Sequence, residues 1–505
     1  MTSRYPRALP ALGALLTLAS ALPFSAQAQN VPSTFVNPIR TDFGADPWLA
    51  QRDGFYYFVT STGSEIIIAK ARTLSEMVTA PFTTVWKKPE QGPNSRNVWS
   101  PELHFLNGKW WVYYSATAED GNDDNRRVFC LESEGADPLG NYTDRGRVEI
   151  PGVNAYTTDG TIFQKPDGSL YFFYAGREKA EGSKQNLFVC AMSDPHTLKG
   201  RPLKLSSPQY DWEKNGWEGN ENPEVIEHNG QTFVTYSASA GASPDYCLGL
   251  LYNPTSDLLN ADAWSKSPVP VFSRYSGPEG NTYTPGHNGF FKSPDGTEDW
   301  MVFHGKEIID YSWERRLARV QKFTWNPNGL PNFGFPIPAM VPLNVPAGEA
   351  GSQAERPLGG TGLRAQYFVV QGDTPTFDTP FLKDDGQNID FNWNEGAPRE
   401  GVEEDYFAIR WTGQIQPRYS GLYTFQTFAD EGIRVTVDGS SLIDDLNVGT
   451  QRAGRGFIYL EANRKYPIQV DYFDKEGPAR ASLYWQSQNQ AFEPVPRDCL
   501  FPPAN

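Results

Sequence analysis

The stretch Trp217–Ser239, WEGNENPEVIEHNGQTFVTYSAS, decides the fold, because the chain repeats its pattern. An acidic segment holding Glu218, Glu221, Pro223 and Glu224 leads into an Asn229-Gly230 turn, then into an apolar strand ending in small residues. The same order returns where Asp46-Pro47 precedes RDGFYYFVTST and where Pro101-Glu102 precedes LNGKWWVYYSA. It returns again where Asp159-Gly160 precedes KPDGSLYFFYAG and where Gly286-His287 precedes SPDGTEDWMVFHG. The copies turn at Gly54, Gly108, Gly168, Gly230 and Gly296, and Asp46, Glu102, Asp159, Glu221 and His287 stand 56, 57, 62 and 66 residues apart. A long, near-regular period of this kind is the signature of a repeat architecture.

Between Phe35 and Pro338 short aromatic and β-branched runs alternate with Gly, Pro, Asn and Asp turns, which is an all-β pattern. Helical periodicity is confined to the neighbourhood of Leu74 to Met77. Each repeat has room for four strands, as in a propeller blade. The second shows them in VWSPELHF, KWWVYYSA, RRVFCLES and a closing segment near Arg145 to Ile150. The expected fold is therefore a five-bladed β-propeller over residues 29–345. The starts of its inner strands, and with them Asp46, Asp159 and Glu221, would meet at one mouth. Residues 346–362, PAGEAGSQAERPLGGTG, read as a linker. From 363 to 505 the texture changes to GLYTFQTF, GFIYLEA, KYPIQVDYF and ARASLYW, the strands of an antiparallel β-sandwich outside the first period.

Composition narrows the partners. A net charge of −16 argues against nucleic acid and anionic membrane. Residues 1–28 have a basic start at Arg4 and Arg7, an apolar run from Leu9 to Phe24, and Ala26-Gln27-Ala28 as a cleavage site. They predict a signal peptide and a secreted or periplasmic mature protein, and no other segment is apolar enough to span a bilayer. Four cysteines without a C-x-x-C pair disfavour a zinc or redox site and favour buried thiols, with room for one disulfide.

A mouth lined by carboxylates and aromatics, without a metal-ligand cluster or a Ser-His-Asp spacing, points to glycoside hydrolysis. That reaction needs a carboxylic acid to protonate the leaving oxygen and a carboxylate to activate water or attack carbon. Each residue also has a blander reading. Asp46 before Pro47 and Asp159 before Gly160 are common turn-formers; their shared register in different blades favours function. Glu102 shares the register, with packing in its own blade as its expected role.

The motifs ADPW (45–48), WSPE (99–102), TTDGTIF (157–163), NENPEVI (220–226) and TPGHNGF (284–290) resemble, in order, those of glycoside hydrolase family 43. TYSAS and RVQKFTWNPNGLPNFG resemble most closely its exo-acting α-L-arabinofuranosidases. The resemblance implies a five-bladed propeller and an inverting mechanism, with Asp46 as general base, Glu221 as general acid and Asp159 as pKa modulator. An inverting pair would stand ~6.5–9.5 Å apart. The family segment reads NEGPE, so Asn222 replaces a glycine next to the acid; Asn is the next most tolerant of positive φ. Glu218 and Glu224 are rivals for the acid, the first outside the motif and the second within the strand. Trp99 is either a stacking platform for a sugar ring or a core tryptophan. Arg319 resembles a mouth-facing arginine, with Arg316 as its rival. His287 resembles an axial histidine that in relatives binds calcium or sodium, often through water; no cofactor is required for the chemistry. The implied substrate is plant cell-wall polysaccharide, arabinan or arabinoxylan. β-Xylosidase, galactan-directed hydrolase and non-catalytic glycan-binding propeller are the competing readings.

In the second part GLRAQYF, EEDYFAIRWTGQI, SGLYTFQTFADEGIRVTVDG and LIDD resemble the protective-antigen-type (PA-14) sandwich. Some such domains bind sugars through calcium held by adjacent aspartates. Here the pair reads Asp430-Glu431, followed by Asp438, Asp444 and Asp445; turn-capping acids in solvent are the plainer reading.

Overall fold

Every repeat folds into one antiparallel sheet whose strands follow each other in sequence order. The computed structural model describes residues 33–503 except 180–183, 278–279, 327, 351, 353–357, 371, 373–374, 395, 447–453, 488–489 and 491. The expected signal peptide lies outside the described residues. Four sheets have four strands and the fifth has five. The inner strands are Trp48–Arg52, Arg96–Leu106, Thr157–Gln164, Asn220–His228 and Gly280–Lys292. Each touches the next, and the last touches the first. The ring therefore closes as a five-bladed propeller.

Sequence dictates this closure through strands that are apolar on both faces. In the first blade Tyr57 and Val59 pack with Val112 and Tyr114 of the second, while Tyr56 and Phe58 turn the other way, toward Phe291 and Val302 of the fifth. Tyr113 and Cys130 meet Phe172 and Tyr174, Val189 meets Val234, and Leu248 meets Met301 and Phe303. Successive side chains of a strand point to opposite faces, so a continuous apolar run supplies two inter-blade cores at once. The tight turns are set by Asp53-Gly54, Asn107-Gly108 and Asn229-Gly230, with φ of 51° and 74°, 53° and 82°, and 50° and 76°. Positive φ at both central residues is the type I′ requirement.

The structure shifts the register of the repeat. The residues that match across blades are Asp46, Ser100, Asp159, Asn222 and His287, all left-handed, with φ of 48°, 48°, 47°, 47° and 50°. Pairing slips beside four of them, between Trp99 and Glu102, Thr158 and Thr161, Glu221 and Glu224, and on both sides of Gly286. Such bulges re-aim side chains. Glu102 thus lies two residues past the matched position, level with Glu224, and Glu221 lies one residue before it.

A ribbon of Thr34–Val36 with Pro342–Asn344 ties the ends of the propeller together. Beyond it, two antiparallel sheets enclose a separate core containing Trp411, Tyr423, Trp485 and Tyr472, the expected sandwich. Leu358, Gly360 and Gly362, at the end of the expected linker, already bond to this domain through Asp498 and Leu500. All four cysteines are buried thiols. Among the described residues no helix is long and apolar enough to cross a membrane.

Candidate active site

Asp46, Asp159, Glu221 and His287 come together on the propeller axis, each placed by its left-handed turn or by the residue beside one. The Asp46 carboxylate receives Arg316 Nη1 at 2.7 Å and lies 3.5 Å from His287 Nδ1. Its backbone N–H donates to His304 Nδ1 at 3.2 Å. A nitrogen that accepts carries no proton, so His304 is the neutral tautomer. Burial and the nearby Arg316 charge hold the His304 pKa well below the usual value. Burial alone would raise the Asp46 pKa, but the Arg316 guanidinium, with His287, outweighs it and holds the carboxyl far below the usual range. Asp46 is a committed carboxylate.

Glu221 is its opposite. Burial first, then the charge of Asp159, pushes its pKa up to about 7, against a hydrogen bond from Tyr246 Oη to Oε1 at 2.7 Å. It therefore holds its proton below about pH 7. Asp159 is raised by burial and by Asp46, and restrained by His287, the Thr158 hydroxyl at 2.9 Å and the Asn222 N–H at 3.2 Å. Ser115 Oγ anchors this segment by accepting the Asp159 N–H at 3.1 Å. A charge placed between two other carboxyls, firmly hydrogen-bonded, suits the modulator's part.

The rivals for the acid fall away on position. Glu218 is exposed and paired with Lys184. Glu224 is 2% exposed and packs against Glu102, and burial with that neighbour holds its pKa high. Glu102 in turn binds His104 Nε2 at 2.9 Å, consistent with a role inside the structure.

Asn222 suits the place usually held by glycine. It takes the left-handed conformation and its Nδ2 donates to Asn288 O at 2.9 Å. Trp99 is 44% exposed, so it is not a core residue; the Arg126 guanidinium lies 3.5 Å from its ring centroid.

Arg319 is not at the mouth, contrary to expectation. It is fully buried, donates to Ile337 O at 3.3 Å and lies 3.6 Å from Glu307. Three positions apart along an extended chain, Arg316 and Arg319 project to opposite sides, and Arg316 is the one that reaches Asp46. His304 and Tyr246 were not singled out from sequence. A lone His in DWMVFHG and a Tyr in a loop carry no local signal of their role.

His287 stands between Ser237 and Asp46. Its N–H donates to Ser237 Oγ at 2.8 Å and its ring faces Asp46. Among the described residues no group of three or more His, Cys, Asp or Glu is arranged to hold an ion. In the second domain Asp430 instead accepts from Tyr472 Oη at 2.9 Å, and Glu431 accepts the Lys475 N–H.

Residues 35–331 match Glycosyl hydrolases family 43, and residues 360–498 match the PA14 domain. An extracellular exo-α-(1→5)-L-arabinofuranosidase of Streptomyces avermitilis is 40% identical over 338 residues, covering 65% of this chain and 69% of that protein. Alpha-L-arabinofuranosidase 43 of Humicola insolens is 34% identical over 67% of this chain and 70% of its own. The crystal structure of an α-L-arabinofuranosidase from Lactobacillus brevis superposes with a TM-score of 0.55 at 35% identity, covering 60% of this chain and 97% of that one. The chain is a glycoside hydrolase that belongs to family 43 and carries a C-terminal PA14 domain.

Proposed function

We propose that the protein is an exported, inverting α-L-arabinofuranosidase that releases L-arabinofuranose from arabinan or arabinose-substituted polysaccharide. The observation that carries this reading is the contrast between two neighbouring carboxyls, Asp46 held by the Arg316 guanidinium at 2.7 Å and Glu221 buried beside the charge of Asp159. Asp46 stays ionised while Glu221 holds its proton to about pH 7. Glu221 gives that proton to the glycosidic oxygen as the bond to the anomeric carbon breaks. Asp46 takes a proton from the water that attacks the same carbon from the opposite face. Asp159 keeps the acid protonated between turnovers through its charge. Arg316 keeps the base ionised and orients its carboxylate.

The arabinofuranosidase names of the similar proteins support the sugar, and the leader-like residues 1–28 support export. The test is to incubate the enzyme with linear arabinan, branched arabinan and arabinoxylan and to follow the first product by proton NMR. Expected is free L-arabinose of inverted anomeric configuration. Asp46→Ala and Glu221→Gln should each lower kcat by roughly 10²–10⁴-fold. Release of xylose or galactose instead would move the assignment to another sugar, and a retained anomer would refute the water-activating role of Asp46.

A further inference from the structure

The loop between the strands Asp299–Lys306 and Leu317–Trp325 carries large apolar side chains into solvent: Ile309 is 60% exposed, Tyr311 72% and Trp313 63%. Exposed apolar surface grouped in this way marks a contact site more often than chance. This loop is also fixed. Lys306, fully buried, donates its ammonium to Asp310 O at 3.1 Å and to Ser312 O at 2.5 Å. Asp310 accepts the Ser312 N–H at 2.7 Å, and Arg316 Nε donates to Trp313 O at 3.1 Å. The same arginine then reaches Asp46. The segment that orients the base therefore also displays Trp313.

Trp313 stands beside the acid as well. A methyl group added at Gly241 would lie 3.0 Å from the benzo edge of Trp313 and 3.8 Å from Glu221 Oε1. Those two distances put the indole edge within about 7 Å of the proton donor, with Gly241 between them and no side chain of its own to separate them. An exposed indole on a hydrogen-bonded loop, with the Arg316 guanidinium 5.3 Å from its ring centroid and next to the group that protonates the leaving oxygen, is placed to meet the sugar on that side of the bond. Aromatic faces suit the C–H surface of a furanose or pyranose.

We propose that Trp313 is a specificity-determining residue that stacks on the sugar ring of the leaving group. It thereby favours oligosaccharide over simple glycosides. The inference rests on the hydrolytic reading above and adds the residue that reads the leaving side. Because Trp313 belongs to a loop pinned by Lys306 and Arg316, the platform is preorganised and its ordering costs little on binding.

The experiment compares kcat/KM of the wild type, Trp313→Ala and Trp313→Phe on two substrates. One is an α-1,5-linked arabinobiose, with a sugar leaving group; the other is methyl α-L-arabinofuranoside, with none. Expected is a drop of about tenfold in the ratio of the two constants for Trp313→Ala, with most of the ratio restored by Trp313→Phe. Loss of both activities in equal proportion, or an unchanged ratio, would overturn the proposal. If the wild type cleaves xylosides and not arabinosides, the sugar assignment falls, and the same ratio measured with xylobiose and methyl xyloside decides the role of Trp313. A wild type that cleaves no glycoside sinks both readings.

Discussion

A hydroxyl 2.7 Å from Glu221 Oε1 helps set how tightly the proposed acid keeps its proton. Tyr246 is 1% exposed, and its ring lies flat on His304, centroids 5.6 Å apart at 10°. Gly286 makes room for it, since a Cβ there would come within 2.3 Å of the ring. The hydrogen bond favours the ionised form of Glu221, whose pKa is nonetheless about 7 because burial and Asp159 outweigh it. In the proposed mechanism Glu221 acts in its protonated form, so activity should fall as pH rises through that value. Tyr246→Phe keeps the ring and its stacking but removes the donor. The alkaline limb of kcat/KM should move upward by roughly one pH unit, the shift that corresponds to one charge-assisted hydrogen bond. A pH–rate profile checks it, and a limb that stays or moves down refutes the argument. Sequence pointed to Asp46, Asp159 and Glu221 because their motifs stand in the family's order, and the structure brings the three together. Tyr246, His304 and the choice of Arg316 over Arg319 were not legible, since each depends on which side a chain leaves a loop or on a partner far away in sequence.

At the scale of the element, the inner strand of each blade after the opening one is broken by a bulge beside a left-handed residue. Asp, Asn and His are the side chains that enter this region most readily after glycine, and four of the five positions hold one of them. The period itself was plain in the sequence. Its register was not, because Glu102 and Glu221 occupy nearby positions and mimic the alignment that Ser100 and Asn222 actually satisfy. Asn222 makes the point testable. Asn222→Ala loses the bond to Asn288 O and keeps the β-carbon in a left-handed conformation that alanine tolerates less well than asparagine. With the lost hydrogen bond added, the propeller should be destabilised by about 1–2 kcal/mol. Asn222→Gly loses the bond but accepts the conformation, so it should cost about 1 kcal/mol and keep more activity. Calorimetric unfolding of both variants orders them. If alanine proves as stable as glycine there, backbone strain is not what selects this residue.

At the scale of the molecule, what composition marked as a linker begins as part of the propeller. Glu349 is 4% exposed and both its oxygens accept the N–H of Leu74, at 3.3 and 3.2 Å, the first residue of the short helix Leu74–Met77. A second tie, from Thr324 Oγ1 to Phe492 O at 2.9 Å, joins the fifth blade to the C-terminal domain. Sequence could not show either, because a Pro-, Gly- and Ser-rich stretch reads the same whether or not one of its acids is buried. Burial pushes the Glu349 pKa from 4.5 up to about 7. Between those values the unfolded chain has released the proton that the folded protein retains, so folding stability falls as pH rises from 4.5 to 7 and levels off above. The loss can reach no more than about 3 kcal/mol. Glu349→Gln, which keeps an acceptor for the Leu74 N–H but cannot ionise, should match the wild type at pH 4.5 and exceed it at pH 8. Thermal unfolding of both proteins across that window reads the difference directly, and other titrating groups cancel in the comparison. Equal stabilities at pH 8 would mean that Glu349 ionises without cost, and hence that the first residues past the propeller are not anchored by this carboxyl.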